Sequence, residues 1–457
     1  MKKFIGNRAF YKYLLAIAIP IVLQQFITQF VGLLDNLMVG QVGTSEMTGV
    51  SIANQLLFVF NLAVFGSLSG ASIFASQYFG SKSKEGYIET FRFKLFVGCV
   101  IFLFSTILFV CFHHNLIDFF IHSKEGETTD PAIVLQSGKT YLLLMVIGNL
   151  PFVIKEIYAT SLREMKETLV PMMSGIFAIC INLFLNYLLI FGKWGCPRLG
   201  ITGAAIATIV SRFVEMGIVV IYTHMNMEKF HFLKGAYQGI VQKASIRKFS
   251  PQTLLLLSNE ILWSLGLTLM LSCYGYRGLD NVSAFNICNV ATNVFLTVGT
   301  AMGNATSIIL GYKLGANELE DAHQSSYKIL AFCVLITTLF AILMAITSGI
   351  LPEIYQTSDE IQHLATILIL IGAVTLPVQA FNTCCYFTLR AGGKMVLTLF
   401  FDGFYIWIIK LPLAFILVHY TMLSIPLIYF IIMGIDVFKS VVGYILVDKG
   451  IWLKNIT

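Results

Sequence analysis

Residues 40–85 read GQVGTSEMTGVSIANQLLFVFNLAVFGSLSGASIFASQYFGSKSKE, and residues 275–320 read GYRGLDNVSAFNICNVATNVFLTVGTAMGNATSIILGYKLGANELE. Aligned without a gap, they share Gly40 with Gly275, Gly43 with Gly278, Ile52 with Ile287, Asn54 with Asn289 and Phe60 with Phe295. Ser72 and Ser307, Ile73 and Ile308, Gly80 and Gly315, and Glu85 and Glu320 continue the match at the same offset of 235. Each stretch holds an apolar run long enough to cross a bilayer, closed by a glycine and followed by charge. Farther along, Leu150-Pro151 and Leu162-Arg163 return as Leu376-Pro377 and Leu389-Arg390. One set of helices is used twice.

Outward from this pair the same reading extends to the whole chain. Of 457 residues, 57% are hydrophobic and 12% charged, against about 25% charged in soluble domains. Lipid must therefore solvate much of the surface. Apolar spans fall near 13–39, 47–79, 92–112, 133–161, 168–192, 200–224, 251–274, 283–312, 326–350, 361–388, 395–418 and 423–446. The first is too long for a signal peptide and lacks a cleavage site. Six spans per half leave both halves in one orientation, so the repeat is parallel about an axis along the membrane normal. The expected fold is an all-α integral membrane protein with twelve transmembrane helices in two six-helix lobes related by a parallel pseudo-two-fold repeat. The expected divisions are an N-lobe at 1–224, a cytoplasmic linker at 225–250 and a C-lobe at 251–457.

Charge placement sets the orientation. With the N-terminus in the cytoplasm, 21 Lys and Arg fall on that side and five fall opposite: Lys124, Lys139, Lys193, Arg198 and Arg277. The remaining Lys155, Arg212, Lys410 and Lys439 lie within spans. The net charge of +6 thus reports topology rather than affinity for nucleic acid. A multi-pass protein of the plasma (cytoplasmic) membrane with both termini inside is expected. The basic linker, with Phe230, Phe232 and Tyr237, reads as an interfacial helix. The cysteines show no paired spacing. Cys99, Cys111, Cys180, Cys273, Cys288 and Cys333 lie in apolar runs and read as small buried hydrophobes.

Three spans carry polar stripes. Helix 1 has Gln24, Thr28 and Asp35. Helix 8 has Asn286, Asn289, Asn293, Thr297, Thr300 and Asn304, with steps of three and four that keep one face. Helix 10 has Thr375, Gln379, Asn382 and Tyr386. Interhelical hydrogen bonds would explain any one of these groups; three full stripes point to a water-filled cavity, with Gln24, Thr28, Asn286, Asn289, Asn293, Gln379 and Asn382 as candidate substrate contacts. Asp35 and Glu260 are acids well inside spans, where a charge costs roughly 2.5–3.5 kcal/mol and a functional role is the default. Arg212 and Glu215, three apart on helix 6, can pair. Lys155, Glu156, Asp402, Lys410, Asp436 and Lys439 read as structural. No nucleophile triad, zinc spacing or phosphate loop is present, so neither an enzyme nor a bound cofactor is expected.

Pro20, the Asp35…Gly40-x-x-Gly43 segment, Gln77-Tyr78-Phe79-Gly80, Asn182-x-x-x-Asn186 and Gly203-Ala204-Ala205-Ile206-Ala207-Thr208 together resemble the MATE (multidrug and toxic compound extrusion) family over nearly the whole chain. The resemblance implies a cation-coupled exporter. It implies an N-lobe ion site at Asp35, Asn182, Asn186 and Thr208, with Na⁺ held at Asp35, Asn182 and Asn186 or H⁺ taken by the acid. Many members carry Asp where Asn186 stands. A helix 7 acid of some members matches Glu260, whereas their helix 10 acid falls at or near Gln379. Small organic compounds and the lipid bilayer are the expected partners, and a monomer the expected state. A lipid-linked sugar flippase of the same superfamily is the nearest alternative; a channel or a membrane-embedded enzyme is more remote.

Overall fold

The computed structural model describes residues 3–40, 43–120, 130–230, 235, 239–354 and 357–457; the side chains of 31–37, 40, 44, 279 and 354 lie outside that description. Among the described residues the chain is all helical, with twelve helices long and apolar enough to span a membrane. They are α1 (Arg8–Gly40), α2 (Thr44–Gly80), α3 (Lys84–Asp118), α4 (Pro131–Glu164), α5 (Leu169–Phe191) and α6 (Ile201–Met225). The second set is α7 (Lys243–Gly275), α8 (Leu279–Gly315), α9 (Leu319–Ile346), α10 (Asp359–Ala391), α11 (Met395–Tyr420) and α12 (Ile425–Asp448).

The repeat is written in these boundaries. Both ends of α1 and α7, and both ends of α2 and α8, are 235 positions apart, as are the starts of α3 and α9. Local chemistry sets the ends. The Asp130 carboxylate accepts from the Ala132 amide at 2.9 Å, with Pro131 opening α4. Gly192, at φ +66, closes α5 in the left-handed region. In α11 two π-helical turns, Phe400–Phe404 and Ile406–Lys410, interrupt the α-helix.

The chain divides into two compact units: one is Met1–Val22, Ser76–Ser83 and Leu254–Thr457, the other Leu23–Ala75 and Lys84–Thr253. Two pieces of the first six helices thus group with the later half. Leu14, Ile17, Ala18 and Ile21 of α1 share a buried cluster with Ala301, Met302, Ala305 and Leu389. The change of unit follows Pro20, which lies inside α1 and removes one helical hydrogen bond there.

The last turn of α2 crosses the last turn of α8 reciprocally. A Cβ on Gly80 would lie 1.9 Å from the Tyr312 carbonyl oxygen, and one on Gly315 would lie 1.8 Å from the Gln77 carbonyl oxygen. The repeat pairs Gly80 with Gly315 and Gln77 with Tyr312, so the same contact is made twice. Gln77 is fully buried. Its Nε2 donates to Ala391 O at 2.8 Å, and its Oε1 accepts from the Ile456 amide at 2.8 Å, fastening the C-terminal tail.

Three sequence expectations change. Lys94, counted with the flanking charges, is buried and paired with Glu164 at 2.5 Å; a charge near a span end can turn inward when an acid waits there. Cys99, Cys111 and Cys180 are exposed, whereas Cys288, Cys333, Cys384 and Cys385 are buried. The outer face of a membrane helix is itself apolar, so an apolar run does not locate the interior. The basic stretch from Lys243 is the start of α7 rather than a separate linker element. Phe230 is fully buried; Phe232, Lys234 and Tyr237 lie outside the described residues.

Candidate ion and substrate site

Within the unit Leu23–Ala75 and Lys84–Thr253, α1, α2, α4, α5 and α6 line an open cavity of about 450 Å³ with mixed polar and apolar walls. Ser51, Asn54, Gln55 and Asn61 of α2, Tyr141 of α4, Asn186 of α5, and Thr208 and Arg212 of α6 supply its polar lining, with Val39 of α1 among the apolar groups. The lining residues Val50, Asn54, Phe58 and Asn61 recur every three or four positions, which places them on one face of α2. Gly203, Ala204 and Ala205 are the small residues that bring α6 against α5; a Cβ on Gly203 would lie 2.7 Å from the Leu189 backbone.

Of the expected ion-site residues, Asn186 and Thr208 line this cavity, and Asn182 is hydrogen-bonded to both. Asn186 Nδ2 donates to Asn182 Oδ1 at 3.1 Å, Asn182 Nδ2 donates to Thr208 Oγ1 at 3.3 Å, and the Thr208 hydroxyl donates to Ala204 O at 3.0 Å. Asp35 belongs to α1 one turn before Val39; its side chain lies outside the described residues.

Arg212 does not form the expected ion pair with Glu215. Its Nη1 donates to Gly148 O at 3.2 Å and to Asn149 Oδ1 at 3.1 Å, and its guanidinium lies 5.0 Å from the Phe152 ring centre. Glu215 turns instead to Lys155, at 3.4 Å, which also holds Glu156 at 2.5 Å; Arg163 lies 3.8 Å from Glu156. Asn61 Oδ1 and Asn149 Nδ2 are buried without a hydrogen-bond partner among the described residues.

The other candidates separate into struts and exposed groups. Gln24 is a strut: Nε2 donates to Pro171 O at 3.2 Å, and Oε1 accepts from Arg163 Nη2 at 3.1 Å. Asn382 is buried, donating to Asp436 O at 3.1 Å and accepting from Ser440 Oγ at 2.9 Å. Gln379 is half-buried, with Nε2 on Thr375 Oγ1 at 3.1 Å. Thr28 is exposed and returns its hydroxyl to Gln24 O at 2.8 Å. Asn286, Asn289 and Asn293 are all exposed, backed by buried Ala284, Ile287, Cys288 and Ala291. Lower in that stripe, Thr297, Thr300 and Asn304 bond to their own helix. Glu260 is half-buried, with no ion pair within 4 Å among the described residues. Its neighbour Asn259, which the sequence reading passed over, is a strut. Asn259 Nδ2 donates to the Tyr386 hydroxyl at 3.2 Å, and Oδ1 accepts at 3.0 Å from the amide of Gly403, which lies in a π-helical turn.

The MatE family model matches residues 20–188 and 255–416, so its second segment begins 235 positions after its first. The chain belongs to the MatE family. It is 24% identical to the probable multidrug resistance protein NorM of Thermotoga maritima, over 97% of this chain and 93% of that one. It is 26% identical to the probable multidrug resistance protein YoeA of Bacillus subtilis, over 89% and 87%. Among solved structures, an outward-facing multidrug resistance MATE family transporter of the MOP superfamily matches with a TM-score of 0.85 at 16% identity, over 100% and 99% of the two chains. A MOP superfamily transporter from Pyrococcus furiosus, described as having a binding pocket of reverse polarity, matches at 0.83 and 16%, over 98% and 97%. This MatE chain is thus a multi-pass membrane protein of a multidrug efflux transporter family, and not an enzyme.

Proposed function

We propose that the protein is a secondary active antiporter that exports small amphipathic, often cationic organic compounds in exchange for inward H⁺ or Na⁺. The observation that carries this reading is the open cavity of about 450 Å³ among five membrane-spanning helices. Small-molecule sites are usually about 300–1,000 Å³, and lipid-facing helices have no need of an interior asparagine, threonine and arginine lining. The doubled six-helix plan suits alternating access by rocking of two lobes. Asp35 is the ion-binding acid by its place in the sequence, with Asn182, Asn186 and Thr208 beside the cavity. Pro20 marks where α1 passes from one unit to the other, so a bend there would reshape the cavity as the ion binds. The excess of Lys and Arg on one side favours both termini being cytoplasmic, the NorM-like bacterial relatives favour the plasma membrane, and one chain supplies both lobes.

One charge crossing about 100 mV is worth roughly 2.3 kcal/mol. Exchange of one monovalent cation for another moves no net charge, so the chemical gradient drives it. In proteoliposomes, a cationic fluorescent dye should then move against its own gradient when an H⁺ or Na⁺ gradient is imposed and the membrane potential is clamped. Dye movement that never exceeds passive equilibration would contradict the antiporter reading.

A further inference from the structure

The last carbonyls of a helix have no partner within it. Where α2, α8 and α10 end, the segment after α12 brings partners. Asn455 Nδ2 donates to Gly315 O at 3.4 Å and to Asn317 Oδ1 at 3.0 Å. Gln77 Nε2 donates to Ala391 O at 2.8 Å and to Lys454 O at 3.3 Å, and its Oε1 accepts from the Ile456 amide at 2.8 Å. All three of these Gln77 bonds end on backbone groups, and an amide side chain offers both the donors and the acceptor they need. The segment also has a fixed end. Trp452 is fully buried, with Nε1 on Val447 O at 3.1 Å. A Cβ on Gly392 would lie 1.8 Å from the Trp452 carbonyl oxygen, so only glycine lets the segment lie so close to the end of α10.

What the segment holds is a tip that belongs by sequence to the first half. Ser76–Ser83 groups with Leu254–Thr457, whereas the rest of α2 and the start of α3 group with the other unit. The matching tip of α8, 311–318, stays with the unit of its own helix. One tip of the repeat is thus exchanged, and it is the one that Lys454 and Ile456 grip. α1 changes unit just after Pro20, where a helix can bend. α2 has no proline, so rocking of the lobes requires its tip to leave its seat. The grip suits release. Gln77 is held by hydrogen bonds, which water can replace, and lies one turn before the exposed Ser81 and Lys82.

We propose that residues 452–457 are a releasable clasp on the tip of α2. Trp452 stays anchored. Lys454 O and the Ile456 amide hold Gln77 in one state of the transport cycle and let it go in the other. The timing of release rests on the antiporter reading; the hold itself does not. Gln77 is a positioning residue, remote from the cavity lining.

The test is amide hydrogen exchange of the whole chain in liposomes, read on 76–83 and 452–457, at rest and during gradient-driven dye transport. Two variants loosen the hold: Gln77→Leu, and a chain stopped after Leu453, which keeps Trp452. Each should speed resting exchange at 76–83 by at least about tenfold, because each leaves buried groups unpaired. In the stopped chain, Gln77→Leu should add less than it does in the whole chain, since both remove the same contact. In the wild type, exchange at 76–83 and at 452–457 should quicken together during transport, by about twofold or more, as the released state becomes populated. A permanent structural seat would not respond to turnover. The proposal is overturned if 76–83 keeps its protection in a variant that is otherwise protected like the wild type, if the two changes add in full, or if turnover leaves both segments unchanged. Should Gln77→Leu fail to fold, the stopped chain and the wild-type turnover comparison decide. A wild type that moves no dye under any gradient would count against the antiporter reading, while the resting comparison would still show whether the segment holds the tip.

Discussion

Eleven residues after its start, α6 carries Arg212; eleven residues after its start, α12 carries Asp436. The two occupy matching places in the repeat and are treated in opposite ways. Asp436 is buried, held by Lys410 at 2.7 Å, and its backbone oxygen takes the Asn382 amide. Beside it, Lys439 and Asp402 form a second pair between α12 and α11. Arg212 has no carboxylate partner among the described residues and borders an open cavity. Duplication kept the helical skeleton, and these matched positions diverged: one carries an acid closed off by an ion pair, while the other carries an arginine that borders a cavity.

That difference predicts unequal stability effects at matched positions. Asp436→Ala leaves Lys410 buried without its partner and should cost about 3–5 kcal/mol, seen as a large fall in thermal midpoint or folded yield. Arg212→Gln should cost less, about 1–3 kcal/mol, since hydrogen bonds to neutral oxygens and the contact with the Phe152 ring are lost but no buried charge is left behind. Equal losses at the two positions would erase the distinction.

A feature the halves share should respond symmetrically. Gly80→Ala and Gly315→Ala each drive a methyl group into a backbone carbonyl of the other helix. Each should cost about 1–3 kcal/mol by overpacking, to a similar extent, and the double variant should be less than additive because both relax the same crossing. A large effect at one glycine and none at the other would show that the contact is not reciprocal.

The struts give the smallest expected effects. Gln24 and Asn259 match at the repeat offset. Gln24 ties α1 to α4 and α5, and Asn259 ties α7 to α10 and α11. Asn259 is 1% exposed and Gln24 is half-buried. Asn259→Ala should therefore cost about 1–3 kcal/mol, and Gln24→Ala about 1 kcal/mol or less. The reverse order would place the tighter strut in the other half.

The twelve spans and the repeat were legible because both are written in long apolar runs and paired glycines. Asn182, Asn186 and Thr208 are joined by hydrogen bonds, and Asn186 and Thr208 line one cavity. What the sequence obscured follows from helix geometry. Gln24 and Gln25 are adjacent, as are Asn259 and Glu260, and only packing shows that Gln24 and Asn259 hold helices together. Asn382 looked like part of a cavity stripe because a committed amide and a free one have the same spacing. Arg212 looked paired because Glu215 is three residues on, but Lys155 of another helix competes for that acid. Cys99, Cys111 and Cys180 looked buried because lipid and protein interior favour the same side chains.

The central claim is that ion coupling resides in the unit with the open cavity. The most direct measurement is gradient-driven dye transport by Asp35→Asn beside Glu260→Gln, each checked for membrane insertion and compared with wild type. Coupled transport should vanish in Asp35→Asn, while Glu260→Gln should remain coupled and change only in its apparent affinity for the dye. Coupling that survives in Asp35→Asn and disappears in Glu260→Gln would contradict the account.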